Sequence, residues 1–530
     1  MKSYYKIMIS WVSIILLSLS CNQDFLEIDN PNSYSEASYF QTQEQVSQAL
    51  TATYATFYFN GLMAREWYFI GDGLGNDIES APAMVGTGGV GNFPAFNYDG
   101  TNDVILELWR SLYRMALRAS LTIEKTGEWV TATDDEAEFK TQAIGQASFL
   151  KAWAYFTLVR FWGTVPIRRT FADFKIANFA RAATEQEVYD FVMENLETAI
   201  TNLPVVYDDP KDVGRATKGS AIALRGQVKL YLEDWAGAEA DFATLEDPPY
   251  EYDLVANYDD NFTADNENNE ESVFEVQHAY NLNTVPWSVW YMFGGQESWG
   301  PSQAITGRAM EYGWNDWANP FVSDAAVEAY TYTLHSSTYV DPRAYYTFYG
   351  DAASGGDTTA YCEACPDNTK PYPYVDKGYR SRKYNRYEIR EQEGQPESDI
   401  NTRVIRYADV LLWHAEARIQ QNKLDAATLE LINRVRRRVS AEEYVLGDIA
   451  NQTDATEIIR HERQIELWGE QERYFDLVRW GILLETLNPE KNASGYSNPV
   501  QEKHYKLPIP VQEMDLNKSM TNSLYFSGWN

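Results

Sequence analysis

Apolar residues recur at intervals of three and four from Thr42 to Asn202 and again from Thr217 to Phe242, the period of helices that bury one face. In "ASFLKAWAYFTLVRFWG", Phe149, Trp153, Phe156 and Val159 fall on one stripe, which Gly163 ends and Pro166 follows. Thr184 and Glu187 predict a capping box in front of Val188, Val192, Leu196, Ala199 and Leu203, with Pro204 closing the segment. In "ALRGQVKLYLEDWAGAEADF", Gly226 on one helix and Ala238 and Phe242 on the next stand at tetratricopeptide-like offsets. Ala415, Ala427 and Leu431 repeat them in "LLWHAEARIQQNKLDAATLEL". The Trp and Tyr positions of that repeat are missing. Because an amphipathic hairpin can bury its face only against a neighbour, the pattern predicts degenerate hairpins stacked into a curved, mostly α scaffold.

Between about 245 and 400 the helical period fails. Pro, Gly, Asn, Asp and aromatics take over, with short strand-like runs such as "SVFEVQH". A stretch this long is no linker; it predicts an irregular subdomain that carries function in its loops. The expected organisation is a helical scaffold over 41–244 and 401–530 supporting a variable subdomain over 245–400.

The first forty residues follow neither pattern. Lys2 and Lys6, an apolar run from Ile7 to Leu19, and small residues up to Ser20 read as a secretory signal over 1–20, too short to span a bilayer. Cys21 stands immediately after it, as in a bacterial lipoprotein, where that cysteine becomes the acylated first residue; Ser18 occupies a place where Leu is usual. Several acyl chains at about 0.8 kcal/mol per buried methylene would hold the protein on a membrane, with residues 21–40 as the tether. An ordinary cleaved signal with an incidental cysteine is the alternative. The other two cysteines, Cys362 and Cys365, are too few for a zinc site and suit a local disulfide in an oxidising compartment.

The chain of 530 residues holds 44 bases against 77 acids, a net charge of −33, and this field argues against nucleic acid and other polyanions as partners. Catalytic chemistry finds no foothold. "GTGGVG", from Gly86 to Gly91, lacks the strand before and helix after that a dinucleotide site needs, and reads as a loop. The five histidines, His278, His335, His414, His461 and His504, have no metal-ligand spacing, and His414 reads as a packed helix residue. "ADNENNEES", from Ala264 to Ser272, lacks the spacing of a calcium loop and reads as solvated. Glu462, Glu466 and Glu470 share a helix face like a glycosidase pair. However, Arg460, Arg463 and Arg473 interleave with them, which predicts a structural ion-pair network. No cofactor or metal is implied.

The aromatics do cluster. Trp287, Trp290, Trp299, Trp314 and Trp317, five of the 16 tryptophans, lie within one short irregular stretch. An indole face suits the C–H face of a sugar ring while polar groups at its edge bond the hydroxyls; part of the set is expected to form the subdomain's own core.

With these segments in hand, the chain resembles the SusD/RagB family of surface nutrient-binding lipoproteins. The likeness rests on "CNQDFLEIDNPNSYSEASYF", "FLKAWAYFTLVRFWGTVPI", "GRATKGSAIALRGQVKLYLEDW", "RYADVLLWHAEARI", "INRVRRR", "IIRHERQIELWGEQERYFDLVRWG" and "YKLPIP", in the family's order. At the C-terminus, Thr521 to Tyr525 departs from the family's usual Gln-Asn-Pro-Gly-Tyr. The resemblance implies a right-handed superhelix of four tetratricopeptide-like units supporting a variable ligand-binding half. It also implies a SusC-like TonB-dependent outer-membrane transporter as partner, an outer-membrane location facing the exterior, and binding without catalysis. Ligand contacts are expected from the loop after the first helices, at Phe93, Phe96 and Tyr98, and from the tryptophan-rich stretch, with Asp77, Asn92, Gln296 and Arg308 as hydroxyl partners. The expected ligand is a neutral polysaccharide or its fragments, a β-glucan such as laminarin or an α-glucan. Alternatives are a peptide or other nutrient, a surface glycosidase, or a scaffold that binds only its partner protein.

Overall fold

The computed structural model describes residues 39–80, 84, 89–279, 306–313, 319–361, 369–372, 378–384, 398–520 and 529. The helices that build the scaffold are α1 (Gln43–Tyr54), α2 (Glu66–Leu74), α3 (Asp103–Glu128), α4 (Asp134–Trp162), α5 (Glu185–Asn202), α6 (Lys218–Tyr231), α7 (Trp235–Thr244), α8 (Tyr407–Gln420), α9 (Ala426–Arg438), α10 (Gln452–Glu466) and α11 (Arg473–Arg479). From α2 to α9 each helix packs on the next, α1 lies on α3 and α4, and α8 also packs on α10. The architecture is mostly α, with hairpin stacked on hairpin.

Local sequence explains where these helices begin. Thr133 caps α4 by accepting from the Glu136 amide, and Asp134, Asp135 and Glu136 place negative charge at the positive end of the helix dipole. At α5 the Thr184 hydroxyl accepts from the Glu187 amide, whereas the Glu187 carboxylate reaches Ala183 instead of Thr184, so the predicted box is closed one residue early. The stripe predicted on α4 proves wider. Every residue from Gly145 to Trp162 is buried, because α1, α3 and α5 cover the helix from several sides.

The first hairpin follows its sequence signature. A Cβ on Gly226 would stand 2.5 Å from the Phe242 ring, so only glycine lets α6 and α7 approach this closely. The second keeps Ala415 and Leu431 buried, but Ala427 is exposed and Thr428 turns inward in its place.

Among the described residues the strands form five separate antiparallel pairs and no central sheet. The pair that matters most for the site joins Ser272–Val276 to Thr402–Arg406, fastening the chain at the start of the irregular half to the chain at its end.

A buried ionic network seats this half on the scaffold. Arg343 pairs with Asp341 at 2.8 Å, Glu462 at 2.6 Å and Glu466 at 3.1 Å, all wholly excluded from solvent. Glu466 also meets Arg406 at 3.2 Å, and Arg406 reaches Glu470 at 2.7 Å. Arg436 binds Glu462 at 2.7 Å, and Lys383 binds Glu470 at 3.0 Å. The network expected from sequence is present, but its cations come from other segments. Arg463 serves Asp476, Arg473 serves Glu490 and Arg460 lies near Glu457. Helix α10 ends at Glu466, so Glu470 lies beyond it in a turn. Glu271, read from sequence as part of a solvated loop, is buried and accepts from Arg438 at 2.8 Å and from Asn261 at 2.9 Å.

Candidate functional site

Trp287, Trp290, Gln296 and Trp299 fall within 280–305, and Trp314 and Trp317 within 314–318. All six lie outside the described residues, as do Cys21, Cys362 and Cys365. What the structure does give is the frame from which these stretches leave and to which they return.

The chain departs after the strand Ser272–Val276. The His278 amide donates to Asn401 Oδ1 at 2.6 Å, and its ring Nε2 lies 3.0 Å from Thr402 Oγ1. It re-enters at Thr306, whose hydroxyl donates to Tyr68 Oη at 3.0 Å. Tyr68 Oη donates to the Met63 carbonyl at 2.8 Å and lies 2.7 Å from Thr402 Oγ1. With its one proton given to Met63, Tyr68 accepts from both threonines; Thr402 then has only lone pairs for His278, which assigns the ring proton to Nε2. One tyrosine on α2 therefore joins both ends of the 280–305 stretch. Thr306 also exchanges two backbone hydrogen bonds with Ser398, at 3.1 and 3.0 Å, so the 385–397 stretch ends on the same frame.

Below the frame the Arg308 guanidinium stands over Tyr384, 3.7 Å from the ring centroid, and 4.9 Å from the ring centroid of Tyr68. Tyr312 donates to Asp72 Oδ2 at 2.8 Å and Gln471 donates to Asp72 Oδ1 at 2.9 Å. Burial pushes the Asp72 carboxyl up against the pull of Arg308. The 314–318 stretch is bounded in the same way: the Asn319 amide donates to the Glu311 carbonyl at 2.8 Å, and Glu311 is itself held by Arg65.

These positions correct the sequence reading at several residues. Arg308, 4% exposed, donates to the Gly469 carbonyl and is used beneath the frame, so it is not open to a sugar hydroxyl. Asp77 is 1% exposed; its carbonyl accepts from Trp468 Nε1 at 3.2 Å, and burial raises its carboxyl well above the usual range. Phe93, Phe96 and Tyr98 are buried too, and Tyr98 stacks on Trp529 at 5.5 Å while Phe96 packs on His504 at 5.0 Å. These rings are core, because the C-terminal segment covers them. Asn92 is half-buried, at the end of the short turn Val90–Asn92.

The carboxylates that invited a catalytic reading are tied down. Burial would raise Glu466, but Arg438, Arg406, Arg343 and Lys383 outweigh it and hold the acid far below the usual carboxylate range. An acid held ionised in this way cannot deliver a proton to a glycosidic oxygen. His414 Nδ1 donates to Glu246 Oε1 at 2.5 Å, as a packed helix residue does. Among the described residues no group of three or more His, Cys, Asp or Glu is placed to hold a metal, and no helix is long and apolar enough to cross a membrane.

Sequence reasoning missed the frame itself. Tyr68 and Thr402 stand 334 positions apart, and no local spacing marks either. It also missed a cavity of about 530 Å³ beside the same strand pair, where Tyr250 and Tyr252 stack at 6.2 Å with an interplanar angle of 8° near Asn268 and Asn269.

Comparison with known proteins adds to this geometry. The SusD family model matches residues 255–529, and a second, described as starch-binding associating with outer membrane, matches 24–232. A SusD-like protein of Bacteroides ovatus is 25% identical over 523 residues, covering 94% of this chain and 86% of that one. Among solved structures, a SusD superfamily protein of Bacteroides vulgatus superposes with a TM-score of 0.73 at 25% identity, covering 91% of this chain and 99% of the other. A laminarin-binding SusD-like protein has the same fold, with a TM-score of 0.70 at 24% identity and coverage of 90% and 98%.

Proposed function

Because this chain belongs to the SusD/RagB family, we propose that it captures a neutral polysaccharide, or its oligosaccharides, at the cell surface and passes them to a SusC-like TonB-dependent transporter. The observation that carries this reading is the tryptophan cluster. Trp287, Trp290 and Trp299 lie in the stretch whose two ends converge on the Tyr68 frame, and Trp314 and Trp317 lie in a short stretch that ends at Asn319 on Glu311; these anchors give a base for indole faces that exclude water from a sugar ring. Trp287, Trp290 and Trp299 are the principal platforms, with Trp314 and Trp317 beside them and Asn92 and Gln296 as hydroxyl partners. The laminarin-binding relative and the starch-binding description favour a β-glucan such as laminarin or an α-glucan.

Acylated Cys21 and the tether over 21–40 would hold the protein on the outer membrane, facing outward. The scaffold over 41–244 and 401–530 would then present the 245–400 subdomain, with Cys362 and Cys365 as a local disulfide. No bond is broken in this reading: Glu462, Glu466 and Glu470 serve packing.

Titration of the intrinsic tryptophan fluorescence with laminari-oligosaccharides and malto-oligosaccharides, alongside a reducing-end assay, tests the proposal. Saturable quenching by a neutral oligosaccharide without release of reducing ends is expected. Release of reducing ends would make the protein a glycosidase, and no change with any neutral sugar would defeat the reading.

A further inference from the structure

We infer that His335 is a proton-operated clasp: with both ring nitrogens protonated it fastens the tip of a hairpin in the irregular half to the helical scaffold, and it lets go when the ring loses a proton. The hairpin joins the strands Thr331–Leu334 and Ser337–Val340, and its tip meets the loop over 439–451 that connects α9 to α10.

The two ring nitrogens face two different acids. Nδ1 lies 2.8 Å from Glu442 Oε1 and Nε2 lies 3.1 Å from Asp448 Oδ2, across 107 and 113 positions of sequence. A neutral imidazole has one N–H and one lone pair, so it can donate to one of these carboxylates and would turn a lone pair on the other. Acids on both nitrogens therefore call for the imidazolium. Neither acid depends on the ring for its place. Asp448 Oδ2 also accepts from the Val445 amide at 2.7 Å; the Glu442 amide donates to Tyr339 Oη at 2.9 Å, and the Glu442 carbonyl accepts from Arg436 Nε at 2.6 Å. Asn433 on α9 exchanges two hydrogen bonds with the Tyr444 backbone, at 2.9 and 3.0 Å, which holds the loop to the scaffold.

The turn agrees. Leu334 pairs with Ser337, which leaves His335 and Ser336 as a two-residue turn with φ of 46° and 68°. Such a turn favours Asn-Gly, so a histidine and a serine there carry backbone strain that the bonds to Glu442 and Asp448 offset. The base of the hairpin is held by other means. Arg436 Nη2 donates to Tyr332 Oη at 2.8 Å, Tyr332 donates to Asp341 Oδ2 at 3.1 Å, and His461 on α10 packs against the Tyr332 ring at 4.5 Å. The tip thus answers to the proton on His335 while the base does not. Hydrogen bonds to Glu442 and Asp448 raise the ring above its ordinary 6.5, and the side chain is 33% exposed, open to protons from solvent. With a raised folded value, the clasp contributes fully below pH 6.5 and is lost as pH rises through that higher value. Acid closes it and alkali opens it.

Histidine-selective NMR titration of the purified full-length protein tests the clasp, with His335→Asn identifying the resonance; asparagine tolerates the left-handed turn and removes the charge. The expected midpoint lies above 6.5 and falls in Glu442→Gln and in Asp448→Asn. His461 and His504 are pushed the other way by burial, so neither can mimic the signal. Hydrogen exchange over 331–340, corrected for the intrinsic dependence of exchange on pH, should quicken about two- to fivefold between about pH 6 and about pH 9 in the parent and stay level in His335→Asn. The inference is overturned by a midpoint at or below 6.5, by carboxylate variants that leave the midpoint in place, or by a hairpin that exchanges alike in parent and variant at both pH values. The hairpin carries none of the tryptophans, so the clasp and the tryptophan face fail or stand separately.

Discussion

Arg343 and Glu462 stand 119 positions apart and are joined by a 2.6 Å ion pair with both side chains fully excluded from solvent. The pair ties the irregular half to α10, and the second oxygen of Glu462 takes Arg436 at 2.7 Å. Removing one partner of such a group leaves buried charge without an answer. Glu462→Ala is therefore expected to cost about 3–5 kcal/mol, read as a lower urea midpoint. A variant with an unchanged midpoint would show that the network is dispensable.

The same network sets the response to acid. Burial raises the Asp341 carboxyl, but Arg343 and Arg436 outweigh it and hold it at about 2, below its ordinary 3.8. A carboxyl depressed in the folded state contributes stability above its unfolded value and loses it as pH falls through the folded value. Stability should therefore decline between about pH 4 and pH 2. Circular dichroism during acid titration measures this. Asp341→Asn should be less stable at neutral pH and show a shallower fall over that interval; the same slope as the parent would remove Asp341 from the account.

Tyr68 joins the two ends of the 280–305 stretch through its hydroxyl alone, so Tyr68→Phe keeps the ring and deletes the junction. The expected cost is about 1–3 kcal/mol, because Thr306 and Thr402 each lose a buried acceptor. Hydrogen exchange should quicken at Thr306 and His278 while α4 stays protected, and neutral-glycan affinity should fall with it. Unaltered exchange at both residues would show that the hydroxyl does not fix the frame.

Much of the fold was legible because its causes are local. The Gly226 and Phe242 contact follows from spacing within one hairpin, and the cap at Thr184 follows from a single residue. The ion network was half legible. Three glutamates four apart announced it, but their partners Arg343 and Arg406 come from segments whose approach no helical period encodes. The loop aromatics failed for a related reason. Phe96 and Tyr98 look exposed beside glycines and become core only because His504 and Trp529 return to cover them. Ala427 shows the limit of offset matching, since a shift of one position on α9 puts Thr428 inside.

The central claim is that indole faces in the irregular half grip uncharged carbohydrate. Affinity electrophoresis through gels of laminarin, starch, xyloglucan, fructan, mannan and xylan, with Trp287→Ala and Trp299→Ala run beside the parent, measures it most directly. At least one neutral glycan should retard the parent, and each substitution should weaken that retardation about two- to tenfold while leaving the melting temperature in place. Free migration of the parent through every neutral gel, or variants retarded as strongly as the parent, would contradict it.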